Sequence, residues 1–228
     1  KPVTIPLFFQ ASTIICLYFS GLLMLLLFLW SALGYRLFKV VILAYIIIGA
    51  IFSNYNNNHA PRLLNTTNSE QGAAFTNWLN AKFDLNEYDE QNKLPVYLVA
   101  AEGGGIRSMK WTALVLDKLY GSEKQFGDHL YALSGVSGGS VGIVFQQAAL
   151  PFCPGGCPKK LDAAVSEDFL SPVTLGLLGP DLFAQSFIPA PINEWDRSKW
   201  LEDSWSYSFQ QVFNQAALDE GINDYWTA

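Results

Sequence analysis

The chain has 228 residues and a mass of 25.3 kDa; half the residues are hydrophobic, 15% are charged, and the mean hydropathy is +0.19. This is too apolar for an ordinary soluble domain, and it excludes disordered and collagen-like chains, while three cysteines exclude a disulfide scaffold. The net charge of -6 is unevenly placed: residues 1–53 hold three cations and no acid, leaving 11 cations against 20 acids downstream, a net charge of -9 with no basic run, which excludes a nucleic-acid binder.

Residues 3–33 carry no charge. A bilayer core of about 30 Å is crossed by roughly 20 apolar helical residues, so residues 11–33 read as a transmembrane span. The stretch is too long for a signal-peptide core, and no small-residue cleavage site follows. Gly34-Tyr35-Arg36 breaks the run, and residues 37–52 form a second, shorter span that Lys39 lengthens by reaching to the headgroups. Trp30 and Tyr35 sit where an aromatic belt belongs. The alternative is a pair of buried core helices; the length of the uncharged run favours a hairpin of two transmembrane helices over residues 1–53. Residues 54–71, rich in Asn, Ser and Thr, read as a linker, and Asn65-Thr66-Thr67 within it matches a glycosylation triplet that is common by chance.

Periodicity returns over residues 72–228, the second domain. Residues 72–83 form a helix with Phe75, Trp78 and Leu79 on one face. Residues 94–101 are a short apolar run between charges and glycines, the pattern of a buried parallel strand. Gly103-Gly104-Gly105 follows, then a helix over 106–120. Residues 129–134 are a second strand, closed by Gly135-Val136-Ser137-Gly138-Gly139 and followed by a helix over 140–150 that Pro151 stops. Strand, Gly turn, helix, twice over, predicts an α/β domain with a mainly parallel sheet.

The second turn is a G-x-S-x-G match placed where a strand meets a helix, as a nucleophile elbow requires. A serine on such a turn projects its hydroxyl above the sheet, and its neighbours are Gly because a Cβ there meets strand or helix. The free N–H groups of the helix start point at the same spot. The competing reading is an ordinary helix cap, with Ser137 or Ser140 as the N-cap. The first turn favours the nucleophile: three glycines between strand and helix expose a nest of backbone N–H groups suited to an oxyanion. As a phosphate cradle it lacks the Lys-Ser/Thr of a P-loop and the G-x-G-x-x-G spacing. Both turns lie at the carboxyl ends of adjacent strands, where α/β folds act. No His follows Ser137, and His129, at the start of the strand that Ser137 ends, lies about 26 Å away. A carboxylate therefore serves as base, or the partner is missing.

Gly103-Gly104-Gly105-Ile106-Arg107, followed about 30 positions later by Gly135-Val136-Ser137-Gly138-Gly139, resembles the patatin-like phospholipase family, and the flanks Ala101-Glu102 and Ala132-Leu133-Ser134 resemble its bacterial membrane-attached members. The resemblance covers residues 94–150. It implies a three-layer α/β/α fold and an acyl hydrolase of lipid esters that uses no metal or cofactor. It implies Ser137 as nucleophile and the backbone of Gly103, Gly104 and Gly105 as oxyanion hole, completed by Gly138, with Arg107 beside it binding substrate. The implied base is an Asp followed by Gly. None of the seven Asp after Ser137 (162, 168, 181, 196, 203, 219 and 224) precedes a Gly, so the dyad Asp is expected beyond Ala228. Glu102 stands where the family often has Asp.

Cys153-Pro154-Gly155-Gly156-Cys157 reads as a disulfide across a turn or two free thiols rather than half a zinc site. Residues 169–192 are apolar and broken by Pro and Gly, an acyl-chain pocket or lid on one reading and irregular core cover on the other. Trp195, Trp200 and Trp205 recur every five residues, which fits no single helix face, and Lys159-Lys160 is a solvated pair. The expected protein is a membrane-anchored serine acyl hydrolase whose partners are membrane lipid and the bilayer. The competing class is a non-catalytic membrane protein whose α/β domain binds lipid or a protein. Arg36 and Lys39 favour the cytoplasmic side for the loop between the helices, which puts the second domain outside a bacterial inner membrane, in a space where Cys153 and Cys157 would oxidise; the alternative is a domain that faces the cytoplasm.

Overall fold

A computed structural model describes residues 3–56, 74–123 and 125–219. Most of the linker, with its glycosylation triplet, and Asp224 lie outside the described residues. The chain divides into two compact units: Lys1–Leu63 with Asp168–Tyr207, and Leu64–Glu167 with Ser208–Ala228.

The first unit is built on helix α1 (Ala11–Phe52), 42 residues long and interrupted at Gly34, whose φ of 68° and ψ of 163° are not helical. A left-handed φ suits Gly, and nothing lies within 4 Å of where its Cβ would be. The sequence predicts a three-residue break at 34–36; Tyr35 and Arg36 are instead helical, and Lys39 lies over the Tyr35 ring at 4.1 Å. The helix is apolar and exposed nearly throughout, with a mean hydropathy of 2.3 in its most apolar window, and it is long and apolar enough to cross a membrane. Helices α7 (Leu170–Gly176) and α8 (Leu182–Phe187), joined by a π-helical turn (Leu177–Asp181), pack on it.

The second unit carries helix α2 (Ala74–Lys82), strand β1 (Tyr97–Ala101), helix α3 (Gly105–Ser122), the short α4 (Phe126–His129), strand β2 (Leu130–Gly135), helix α5 (Gly138–Ala149) and helix α6 (Pro158–Val165). The predicted elements are all present, with shifted ends. β1 starts at Tyr97 rather than 94 because Pro95 has no N–H for a ladder. His129 is not the first strand residue: it ends α4, buried, with Nδ1 2.7 Å from the Pro95 carbonyl. The strands pair in parallel, Val99 against Leu133 and Ala101 against Gly135. Leu116, Phe126 and Ile143 form a core on this pair with Val99, Leu130 and Leu133. Full burial of a side chain such as Leu116 or Phe126 contributes roughly 1.5–3 kcal/mol. The last helix, α9 (Arg197–Phe213), ends in this unit, where Phe209 packs on Phe145 and Ser208 Oγ donates to the Ala164 carbonyl.

The expected three-layer fold is not what the described residues form. They are mostly helical, around one two-stranded parallel sheet. Only residues 94–101 and 129–134 have the pattern of buried strands, and the larger sheet was implied by resemblance alone.

Helices α3 and α5 approach closely at Gly142, where a Cβ would come 2.4 Å from the Met109 carbonyl oxygen and 2.9 Å from Thr112 Cβ. Backbone cannot yield as a flexible side chain does. Gly142→Ala is expected to destabilise the protein by about 1–3 kcal/mol, while Gly155→Ala, with nothing within 4 Å, is neutral. Urea unfolding in detergent checks the pair.

Candidate active site

The two glycine turns face each other across the carboxyl ends of β1 and β2. The ladder runs one residue past the strands, with Val136 N–H donating to the Ala101 carbonyl at 3.1 Å. Ser137 follows with φ 53° and ψ -125°. Non-glycine residues rarely take positive φ, and such residues cost of order 1–3 kcal/mol and cluster at active sites. Ser137 stands at the start of α5 and makes no capping hydrogen bond with its side chain. The reading of Ser137 as an ordinary helix cap therefore fails. The residue is exposed, whereas Gly138 and Gly139 are buried beneath it.

The glycines are there for space. A Cβ on Gly138 would come 2.0 Å from the Gly105 carbonyl oxygen, and one on Gly139 would come 2.6 Å from that of Glu102. A Cβ on Gly135 would meet Ser140 Cα at 2.7 Å. Gly103 lies against the serine itself: its Cβ would be 3.3 Å from Ser137 Cβ and 3.9 Å from Oγ. The triple-glycine loop thus sits beside the hydroxyl, and it runs into the N-terminus of α3 with Gly105 at φ 62°. Two helix starts, those of α3 and α5, converge here, each with unsatisfied N–H groups and the positive end of its dipole. Ser108 Oγ, one turn into α3, donates to the Glu102 carbonyl and ties the loop back to its helix. Sequence reasoning passed over this serine; its only signal is a hydroxyl one turn after the glycines.

Arg107 is exposed on the first turn of α3. It lines an open cleft of about 600 Å³ with Val99, Ala101, Glu102, Gly103 and Trp111. The cleft reaches Gly103, and Ser137 does not line it. Trp111 and Val136, 73% and 66% exposed, put apolar surface around the turns. From the sequence alone Trp111 carries no role, and Val136 stands only as part of the second turn.

Among the described residues, five of the Asp downstream of Ser137 are engaged elsewhere. Asp162 pairs with Lys110 at 2.7 Å, Asp181 with Arg197 at 2.7 Å and Asp203 with Lys199 at 2.6 Å. Asp168 accepts the N–H groups of Leu170 and Ser171, and Asp196 that of Ser198. Asp219 lies in the terminal turn Ala217–Asp219. His129 is held by Pro95 and Phe83, with the whole of β2 between it and Ser137. Cys153 and Cys157 are bonded, with Cα atoms 5.6 Å apart, and Asp117 Oδ1 accepts the Cys157 N–H. Among the described residues, no group of three or more His, Cys, Asp and Glu is placed to hold a metal ion.

No family model, curated protein or solved structure matches this chain.

The backbone of Ser137 yields a test independent of activity. Ser137→Gly removes a Cβ from a left-handed position. Relief of about 1–3 kcal/mol, less the roughly 0.5–1 kcal/mol entropic cost of Gly, predicts a net gain in stability. Ser137→Ala keeps the Cβ and gives no such gain. Unfolding midpoints that order the two variants the other way would contradict the strained turn.

Proposed function

We propose that the protein is a membrane-anchored serine acyl hydrolase of the patatin-like type, cleaving phospholipid or related lipid esters. The observation that carries this is Ser137: a left-handed, uncapped, exposed serine between a parallel strand and a helix, packed on a triple-glycine loop. Ser137 Oγ attacks the ester carbonyl carbon, and its proton passes to a carboxylate base. The carbonyl oxygen becomes an oxyanion held by backbone N–H groups of Gly103, Gly104, Gly105 and Gly138. The alcohol portion leaves with a proton, and water then hydrolyses the acyl-serine. Arg107, in the cleft beside Gly103, suits an anionic headgroup. The base that the resemblance implies is an Asp followed by Gly, and this sequence contains no such pair after Ser137.

Reaction with a fluorophosphonate probe, read on the full-length protein in native membranes, is the test. Labelling is expected for the parent, absent for Ser137→Ala, and reduced at least about tenfold for Gly138→Ala, whose Cβ would meet the Gly105 carbonyl and displace the oxyanion donors. Labelling unchanged in Ser137→Ala would leave the non-catalytic lipid- or partner-binding reading.

The anchor is proposed to be a transmembrane hairpin with its turn at Gly34. Contacts of α1 support this. Ile14, Leu17 and Tyr18 share an apolar groove with Leu175 and Leu178, while the Tyr45 hydroxyl lies 3.2 Å from Ser186 Oγ. In a straight helix residues 14 and 45 would be about 46 Å apart, whereas the helical run from Leu175 to Ser186 covers about 17 Å. Both arms of α1 reach that short run if the chain turns back at Gly34. Arg36 and Lys39, in the first helical turns after Gly34, favour the cytoplasmic side for that end and so an extracytoplasmic catalytic domain. The closed Cys153–Cys157 bond accords with an oxidising space. In a Cys16→Ser background, a membrane-impermeant maleimide is expected to label intact cells only after reduction. Labelling that needs an opened inner membrane and no reductant would place the domain in the cytoplasm.

A further inference from the structure

The run from Leu170 to Phe187 has its polarity inverted for a helix in water. Its buried residues are small or polar: Ser171, Pro172, Gly176, Asp181, Ala184 and Ser186. Its exposed residues are large and apolar: Leu170 at 57%, Phe183 at 52% and Phe187 at 49%, with Leu177 and Leu182 beside them. In water the hydrophobic effect drives the opposite arrangement. In lipid, helices meet through small side chains, turn polar groups inward and present large apolar ones to acyl chains.

The inward groups are satisfied accordingly. Asp181, the one charged residue between 169 and 192, is fully buried and paired with Arg197. Ser171 Oγ donates to the Asp168 carboxylate at the start of α7, and Ser186 Oγ meets the Tyr45 hydroxyl on α1. Gly176 lets the Trp200 ring approach to within 2.8 Å of where a Cβ would stand. The run is joined to α1 near both of that helix's ends: Leu175 and Leu178 lie by Ile14 and Leu17, and the Ile188 carbonyl accepts from Asn56 Nδ2 at 3.2 Å. Its exposed Leu and Phe side chains therefore continue the apolar surface of α1.

We infer that Leu170–Phe187 is a second membrane-embedded element, lying in the leaflet from which both ends of α1 emerge and contacting lipid acyl chains through Leu170, Leu177, Leu182, Phe183 and Phe187. At about 1.5 Å per residue the run is about 27 Å long. Its attachment to the end turns of α1 seats it in the outer part of one leaflet, the depth of interfacial helices. Asp181 and Arg197 enter as a neutralised pair. The inference rests on the proposed anchoring of α1, and the experiment separates the two.

Single cysteines replace Leu170, Phe183, Leu25 and Lys159 in a Cys16→Ser background of the full chain. Each carries an environment-sensitive fluorophore, and the protein is reconstituted in phosphatidylcholine vesicles with lipids spin-labelled near the headgroup or deep in the acyl chain. Leu25, 52% exposed on α1, reports the anchor, and the exposed Lys159 reports water. The labels at Leu170 and Phe183 are expected to lose most of their emission to the shallow quencher, and the label at Leu25 to the deep one. Leu170 and Phe183 labels that stay bright like that at Lys159, while Leu25 is quenched, would overturn the inference and leave the anchor standing. No quenching at Leu25 either would overturn both. Two exposed positions guard against one substitution disturbing the fold.

Discussion

The contact of Gly138 Cα with the Gly105 carbonyl sets the spacing around Ser137. A Cβ at 138 would overlap that oxygen at 2.0 Å, so the two turns meet backbone to backbone. Such closeness is available because β1 and β2 are adjacent parallel strands in register at Ala101 and Gly135. It persists one turn further, where Gly142 brings α5 onto the Met109 carbonyl of α3. A chain of glycines at 135, 138, 139 and 142 thus holds the strand ends and helix starts at one distance. The N–H groups of two helix termini then converge without further help from side chains, and the cost of the left-handed serine is carried by the surrounding packing.

The two units bury different kinds of side chain. In the second, Leu116, Phe126 and Ile143 are inside, as water requires. In the first, α1 leaves almost every large apolar side chain exposed, and α7 and α8 bury Ser171, Asp181 and Ser186 while exposing Leu170, Phe183 and Phe187. One sequence holds both patterns, which accounts for the high mean hydropathy of a chain whose downstream part is strongly acidic. Asp168–Tyr207 groups with the N-terminal segment despite more than 100 intervening residues.

Legibility from sequence followed how local the physical cause was. The turns at 103–105 and 135–139 were legible because clustered glycines between an apolar run and a helical one mark a turn by themselves, although the contacts that require Gly138 and Gly139 are made across to the other turn. The break at Gly34 was legible because a glycine and a charge interrupt an uncharged run. The tight four-residue separation of Cys153 and Cys157 left a bond and two free thiols both open, and the hydrogen bond from the Cys157 N–H to Asp117, 40 residues away, was not legible. The extent of the sheet was not legible, since a resemblance carried by two turns says little about residues 151–228. The inverted face of Leu170–Phe187 was hidden because Pro and Gly blur its period, and a π-helical turn at Leu177–Asp181 shifts the faces by a fraction of a turn.

Ser137 also separates two things that an active serine combines, stabilisation of the oxyanion and activation of the hydroxyl. In the proposed mechanism the first falls to backbone already beside the hydroxyl: Gly103 next to Oγ, Gly138 after it, and two helix starts behind them. The second needs a proton acceptor, and the obvious candidates serve other ends. Asp162, Asp181 and Asp203 neutralise Lys110, Arg197 and Lys199, while Asp168 and Asp196 satisfy backbone N–H groups at helix starts. Moving any of these to Ser137 would break an ion pair or a hydrogen bond that the fold already makes. In the proposed mechanism these five Asp are poor candidates for the base, and a carboxylate that serves Ser137 approaches from the exposed side of the turn, where the glycine contacts are undisturbed.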